Sequence, residues 1–452
     1  MFILNQFNNK EIIIENFGPI DHCKVDLQKD IYVLIGAQAS GKSTLCKVIY
    51  FCRKIKDYFI EFFLDYQKFN LLNPNEYFNS FNKFLRTKFI GCFGTTKHMD
   101  KFMIKYVFDD AWISIILDEK GFVRFRYKNT LYHDMYGLMH SYIDSMKKLT
   151  DNEKKSYQMD FMDSIYATSR IQSKLKTAVT HLFCDDKDII YIPAGRSLLS
   201  TLSEQLNNLS VAEIDLVMGE FINTIRATKS KFGSKIPEMV QNYTKMVNGQ
   251  VNNHALEYAY KLIQDILKAD YVSDIDGEKM YFDEKRWVKL MYGSSGQQES
   301  LWILLILFSI ILEKRKAFVV IEEPEAHLFP MSQKAIVELI ALFTNVTESQ
   351  TIITTHSPYI LTSLNLLIYS SKVENAKKYR EESSVIPKMV RVTSQKYDAF
   401  YLPSEENNWM EKLTSIKDKE TGLIDTEFID KVSDVTNTAL EKLIELEIKY
   451  DL

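Results

Sequence analysis

Apolar and polar residues alternate along the first part of the chain, and then the alternation stops. EIIIEN and CKVDL, between residues 11 and 27, put unlike side chains on opposite faces, as half-buried strands do. IYVLI (31–35) is apolar throughout, which predicts a strand covered on both faces. Residues 43–68 shift to a helical period rich in aromatics, and a second helical stretch covers Glu76 to Phe89. AWISIIL (111–117) and FVRFRY (122–127) read as strands joined by the turn DEKG. Residues 130–186 are helical in pattern, DIIYIP (188–193) is a short strand, and helix resumes to about Lys268. The stretch 270–291 reads as strands with DIDG as a hairpin turn. An apolar helix (299–314), the strand AFVVI (317–321), a helix (332–344) and the strand TIITT (351–355) follow. Near the end, Phe428, Val432, Val435, Leu440, Leu443 and Ile444 share one face of an amphipathic helix. No repeat, low-complexity tract or sustained heptad pattern interrupts this.

The pattern predicts an α/β protein: a mixed sheet built around IYVLI, an antiparallel β part, and a large, mostly helical insertion. Four segments follow: 1–128, the helical 129–268, 269–370, and a C-terminal extension 371–452. The 452 residues, 46% apolar and 26% charged, are enough to bury a core, and a net charge of −4 excludes a chain coated in basic charge. The charge leaves a local basic groove open, with Arg226, Lys229, Lys231, Lys235 and Lys245 the best stretch for one. Cys23, Cys46, Cys52, Cys92 and Cys184 are scattered without CxxC spacing, as expected of reduced thiols in a cytoplasmic protein rather than of a zinc site. MFILNQFNNKEIII lacks the pattern of a signal peptide. The longest apolar run, Leu301 to Leu312, falls short of the roughly 20 residues a bilayer requires, so a buried helix and no membrane partner are expected.

Four segments carry chemistry. GAQASGKS, Gly36 to Ser43, lies between a buried strand and a helix and fits G-x-x-x-x-G-K-[ST]. Gly36 and Gly41 let the backbone of Ala37, Gln38, Ala39 and Ser40 curl into a nest of N–H groups for phosphate, with Thr44 next on the helix. In that pattern Lys42 sits between the β- and γ-phosphates of ATP and the Ser43 hydroxyl reaches Mg²⁺. In AFVVIEEPEAHLFP (317–330) a buried strand runs into Glu322 and Glu323, whose side chains point to opposite faces. The assignment that follows gives Glu322 to the metal and Glu323 to the attacking water. TIITTHSP (351–358) ends a strand on His356, which can hydrogen-bond a γ-phosphate. The acidic pair and His356 are spaced for one strand–helix–strand unit, which predicts neighbouring parallel strands. Lastly, YGSSGQQES (292–300) opens a helix with Ser294, Ser295, Gly296, Gln297 and Gln298. This is either a second anion-binding end, completed by a partner's ATP, or a capped helix start.

Taken together, GAQASGKST, SSGQQE, VVIEEPEAHL and TTHSP resemble the Walker A, signature, Walker B with D-loop, and switch histidine of ABC ATPases. ENFGPI (15–20), YIPAGR (191–196), SSGQQE and EEPEAHLFP narrow the likeness to the Rad50/SMC/RecF branch, and within it to OLD-like ATPases of anti-phage systems such as the Septu and PARIS types. The resemblance implies an ABC head with Lys42, Glu323 and His356 in catalysis and a homodimer or larger ring. In that assembly Ser295 and Gly296 meet the partner's γ-phosphate, and Glu325 and His327 lie in the D-loop at the protomer interface. Glu322 stands where Asp is usual, Gln297 replaces the second signature glycine, and the Q-loop glutamine is Gln158, Gln172 or neither. Arg196 is either a basic residue of the site or a structural arginine pairing an acid. A TOPRIM domain is not discernible in 366–452. The function implied is that of a sensor and scaffold ATPase controlling a separate effector nuclease or toxin. The alternative is a RecF- or Rad50-like ATPase that clamps DNA.

Overall fold

The computed structural model describes residues 10–64, 76–155, 161–201, 214–247, 252–375, 385–403 and 413–426. The amphipathic helix expected over 428–444 and the candidate Gln158 lie outside them. In chain order the elements begin β1 Lys10–Phe17, β2 Ile20–Asp26, β3 Ile31–Gly36, α1 Lys42–Leu64, α2 Tyr77–Phe93, β4 Met103–Phe108, β5 Ala111–Leu117 and β6 Val123–Tyr127. The mostly helical stretch follows: α3 Asn129–Lys155, α4 Phe161–Leu182, β7 Asp188–Ile192, α5 Ser197–Thr201, α6 Leu216–Lys229, α7 Ile236–Met246 and α8 Asn253–Leu267. Then come β8 Asp270–Asp274, β9 Gly277–Tyr281, β10 Trp287–Lys289, α9 Ser295–Glu313 and β11 Ala317–Glu322. The described elements close with α10 Pro330–Thr347, β12 Gln350–Thr354, α11 Pro358–Asn375, β13 Tyr397–Leu402 and β14 Thr414–Ser415.

The chain folds as two compact units, one of residues 1–28, 44–189 and 215–217, the other of 29–43, 190–214 and 218–452. The first is built on an antiparallel sheet in the order β2-β1-β4-β5-β6. Its strands alternate: in β1 the residues on one face, Ile12 and Ile14 among them, are buried, and the other face is half-exposed. β4 was not expected from the sequence, although MIKYVF has the same alternation and pairs with both β1 and β5. Aromatics from α1 and α2 pack into one cluster, with Phe51 edge-on to Phe89 at 5.2 Å and Phe59 edge-on to Phe81 at the same spacing. At its centre Arg53 forms a bidentate pair with Asp185, Nε to Oδ2 at 2.9 Å and Nη2 to Oδ1 at 2.9 Å, and Lys10 lies 3.3 Å from the same carboxylate.

The second unit holds a six-stranded sheet in the order β14-β13-β3-β12-β11-β7. β13, β3, β12 and β11 run parallel, so the acidic strand and the histidine strand are the neighbours that their spacing predicted. β13 is a finding of the structure: the extension after residue 371 contributes a strand beside β3, with Leu402 in register with Gly36. α9 is apolar on every side because it runs through the core, with Leu301 to Leu312 all buried and Trp302 edge-on to Tyr271 at 5.9 Å. Each such large side chain contributes about 1.5–3 kcal/mol on burial. α9 is also the one described helix long and apolar enough to cross a membrane, and its residues are mostly buried. The three short strands β8, β9 and β10 form a separate meander, its first turn being the DIDG hairpin.

Candidate functional site

Three parallel strands end together, and the candidate residues follow their ends. Leu34 of β3 is paired with Thr354 of β12, which is paired with Glu322 of β11. The phosphate loop, the acidic pair and His356 therefore leave the same carboxyl edge of the sheet, where α/β folds place their ligands.

Gly36 ends β3 with almost no room around it: a Cβ there would lie 2.3 Å from the Leu402 carbonyl oxygen and 2.9 Å from Ser40 Oγ. Ala39 and Gly41 hold φ of 62° and 97°, the kind of turned backbone that forms anion nests. Lys42 folds over the loop, its Nζ donating to the carbonyls of Gly36 at 2.9 Å and Ala37 at 2.8 Å. Ser40 Oγ is buried without a hydrogen-bond partner, and Ser43 is exposed on the first turn of α1. Ala37, Gln38 and Ala39 are exposed, and Thr44, half-buried, continues the helix. A glycine-tight loop with an orphaned buried hydroxyl and a lysine over its mouth fits a triphosphate. Among the described residues no group of three or more His, Cys, Asp and Glu is arranged to hold a metal.

Glu322 is buried, and both its oxygens are engaged: the Tyr191 hydroxyl donates to Oε1 at 2.8 Å and the Ala194 N–H to Oε2 at 3.1 Å. Glu323 is half-exposed and left-handed, with φ 44°. Its N–H donates to the Thr354 carbonyl at 2.9 Å, and its Oε1 lies 4.0 Å from His356 Nε2. Burial pulls the His356 pKa below its ordinary value and the Lys42 charge adds to this, while Glu323 opposes both. Burial and the Lys42 charge both favour the neutral imidazole, in which one nitrogen donates and the other accepts.

Glu325, expected at a protomer interface, turns inward. Its Oε1 accepts from Thr355 Oγ1 at 2.7 Å and from the His356 N–H at 2.8 Å, and its Oε2 is buried without a partner. Burial is the main cause that raises its pKa, against those two hydrogen bonds. His327 is exposed, with φ 58°. Its carbonyl touches the signature segment of the same chain: a Cβ on Gly296 would lie 2.8 Å from that oxygen. Ser294 caps α9 through a capping box, accepting from the Gln297 N–H at 3.3 Å while Gln297 Oε1 accepts from the Ser294 N–H at 3.0 Å. Gln297 also donates to the Leu267 carbonyl at 2.6 Å, and Gln298 to Leu290 and Met291, so both glutamines serve the loop's own geometry. Ser295 is exposed at the first helical position.

Arg196 is fully buried, and its donors are directed at carbonyl oxygens rather than at the mouth of the phosphate loop. Nε donates to Glu299 O at 2.8 Å, Nη1 to Pro193 O and Glu322 O at 2.7 Å each, and Nη2 to Glu323 O at 2.9 Å. Glu299, which the sequence did not single out, is its acid, with Oε2 3.4 Å from Nε. Arg196 thus pairs with an acid inside the protein and spans the backbone behind the acidic strand end. Tyr191 and Ala194 were also missed, although YIPAGR carries both; the signal lay in that motif and not in any chemistry of its residue types.

A glycine-walled phosphate loop beside an acidic strand end and a histidine defines the class of P-loop ATPases. Residues 10–361 match the family described as AAA ATPase domain, and the chain belongs to that family. No curated protein matches. Among solved structures, the chain is similar to an SMC head bound to the C-winged helix domain of ScpA, with 13% identity over 78% of this chain and 90% of that one and a TM-score of 0.37. The SMC head domain from Thermotoga maritima is 9% identical over 79% and 92%, at a TM-score of 0.34. The Smc head domain with an extended coiled coil, bound to the C-terminal domain of ScpA derived from Pyrococcus furiosus, is 12% identical over 94% and 98%, at 0.38. At such scores the likeness is loose, and the fold rests on the strand order above.

Proposed function

We propose that the chain is a Mg·ATP-dependent ATPase whose two copies close around nucleotide, and that this closure governs a separate effector protein in anti-phage defence. The observation that carries the hydrolytic part is the Glu323–His356 pair at 4.0 Å, beside the glycine-tight loop of Lys42. Mg·ATP, when bound, supplies the phosphoanhydride to be cleaved and the cation that neutralises its charge. The loop peptides and Lys42 hold the phosphates, and Ser43 offers its hydroxyl to the cation. Glu322, whose oxygens each accept one protein hydrogen bond, would help to hold the cation from the acidic strand end. Glu323 orients the attacking water and takes its proton, and neutral His356 donates to the γ-phosphate.

Self-association is supported by exposed apolar side chains beside each of the three segments concerned: Tyr292 before the signature, Phe329 and Met331 after the D-loop, and Tyr359 after His356. The defence role rests on the motif resemblance, with an effector nuclease or toxin as partner. The DNA-clamp alternative draws less support. Three of its five candidate cations face acids, Lys229 with Glu278 at 2.9 Å, Lys231 with Glu313, and Lys235 with Asp270 at 3.8 Å.

Glu323→Gln is the test. The variant is expected to keep ATP affinity, to lose turnover by about 100-fold or more, and to accumulate as an ATP-bound dimer in light scattering. Used as bait in native cells, the same trapped dimer should retain a nuclease or toxin. Parental turnover in the variant would refute the assignment of Glu323, and capture of DNA in place of a protein would favour the clamp.

A further inference from the structure

We propose that Arg196 is a positioning residue for ATP hydrolysis: it fixes the backbone of Glu323 and ties it to the first turns of α9. The role rests on the reading of Glu323 as general base given above.

Glu323 occupies a left-handed conformation, φ 44°, that a non-glycine residue adopts only under constraint. It is held there from both sides. Its N–H is bonded to Thr354, and its carbonyl accepts from Arg196 Nη2 at 2.9 Å and from the Ala326 N–H at 3.1 Å. The preceding carbonyl, of Glu322, accepts from Nη1 of the same guanidinium. One planar group thus grips two consecutive carbonyls of the turn that carries the base, and the direction of the Glu323 side chain follows from that turn. Released, the residue would relax toward right-handed φ and swing its carboxylate away from His356.

The far side of the guanidinium is anchored equally firmly. Glu299 takes the Arg196 N–H on Oε2 at 3.0 Å and the Ser197 N–H on Oε1 at 3.0 Å, and its own carbonyl accepts from Nε. Ser200 adds a bond to the Gln298 carbonyl at 2.8 Å. Glu299 stands one turn beyond Ser295 and Gly296, the residues read above as meeting the partner's nucleotide. A shift of that helix end therefore moves Arg196, and with it the Glu323 turn of the same chain. Each protomer's base is in this way linked to the nucleotide bound by the other.

The donors lie in one plane and serve oxygens from three chain segments, a pattern no ammonium reproduces. Arg196→Lys keeps the charge and loses the grip. We expect its kcat to fall about 100-fold, the scale on which a displacement of about 1 Å acts. Its equilibrium affinity for ATP should stay within about threefold of the parent when both are measured well below the variant's lowered melting temperature. Glu299→Gln, which loses one of the two N–H contacts, should fall about tenfold in kcat and turn any sigmoidal ATP dependence hyperbolic. Kcat within twofold of the parent in Arg196→Lys, or parallel loss of kcat and ATP affinity, would overturn the proposal. If Arg196→Lys does not fold, an unaltered kcat in Glu299→Gln overturns it in its place. A parent chain that binds ATP and never hydrolyses it would overturn both this role and the function it rests on, whereas a parent with normal turnover beside an unaffected Arg196→Lys removes the role alone.

Discussion

At the scale of single residues, the candidate site uses left-handed backbone, as helix ends such as Lys268, Lys314 and Glu348 also do. Ala39, Glu323 and His327 are left-handed without being glycine, and each belongs to a segment that converges on the sheet's carboxyl edge. Such residues cost about 1–3 kcal/mol apiece and persist because their surroundings over-determine them. Gly36 shows the reverse case, a position where any side chain is excluded by a neighbour that cannot yield. The obstacle is the Leu402 carbonyl, fixed in the pairing of β13 with β3. Gly36→Ala is expected to push β13 off the loop, cost about 1–3 kcal/mol, and weaken ATP binding at least tenfold in nucleotide titration. Gly137→Ala, where nothing lies within 4 Å of the new methyl, should do neither. The glycines, Lys42 and Glu323 were legible in the sequence because a phosphate loop and an acid-ended strand are local patterns. What holds Glu322 was not, since Tyr191 and Ala194 reach it from more than a hundred residues away. Nor could sequence decide between the two readings of Arg196, because pairing with Glu299 is a matter of tertiary distance.

At the scale of elements, the long periodic segments were legible and the short or isolated ones were not. β11, β12 and α9 announced themselves by unbroken apolar runs, while β13 is six residues of mixed pattern placed in the sheet between β14 and β3. The buried charges of the first unit show a further element-scale device. Asp185 is held well below the usual carboxylate range by Arg53, Lys10 and Lys56 against the cost of its burial, and it joins β1 to α1. Lys10 is the weak member. Burial first, then the Arg53 charge, brings its pKa down to about 8 despite Asp185. A lysine whose folded pKa is lowered binds fewer protons folded than unfolded between about 8 and its ordinary value near 10.4, so its contribution to stability rises with pH across that window. Lys10→Met removes this dependence. Urea unfolding of parent and variant at pH 7 and pH 11 should show the variant's stability relative to the parent falling by about 3 kcal/mol between the two. A difference that does not change with pH would mean that Lys10 is not penalised by its burial.

At the scale of the whole molecule, the capping box at Ser294 leaves one question for the assembly. A capped helix start is complete without any ligand, and the sequence allowed that reading beside the one in which Ser295 and Gly296 serve a partner's nucleotide. The two differ in where the signature acts, in the same chain or across a dimer, and mixed dimers separate them. Lys42→Ala disables a phosphate loop, and Ser295→Arg disables a signature; each pure variant should be inactive. If a site takes its loop from one chain and its signature from the other, a mixed dimer collects both defects in one site and leaves the second site intact. At equal amounts with free exchange, half of the dimers are mixed and half of their sites are sound, so about a quarter of parental ATPase should return. If each chain supplies its own loop and signature, every site in the mixture carries a defect and no activity returns. The result depends on geometry alone, because neither variant can turn over ATP by itself, and exchange is checked independently by tagging one variant and recovering the other with it.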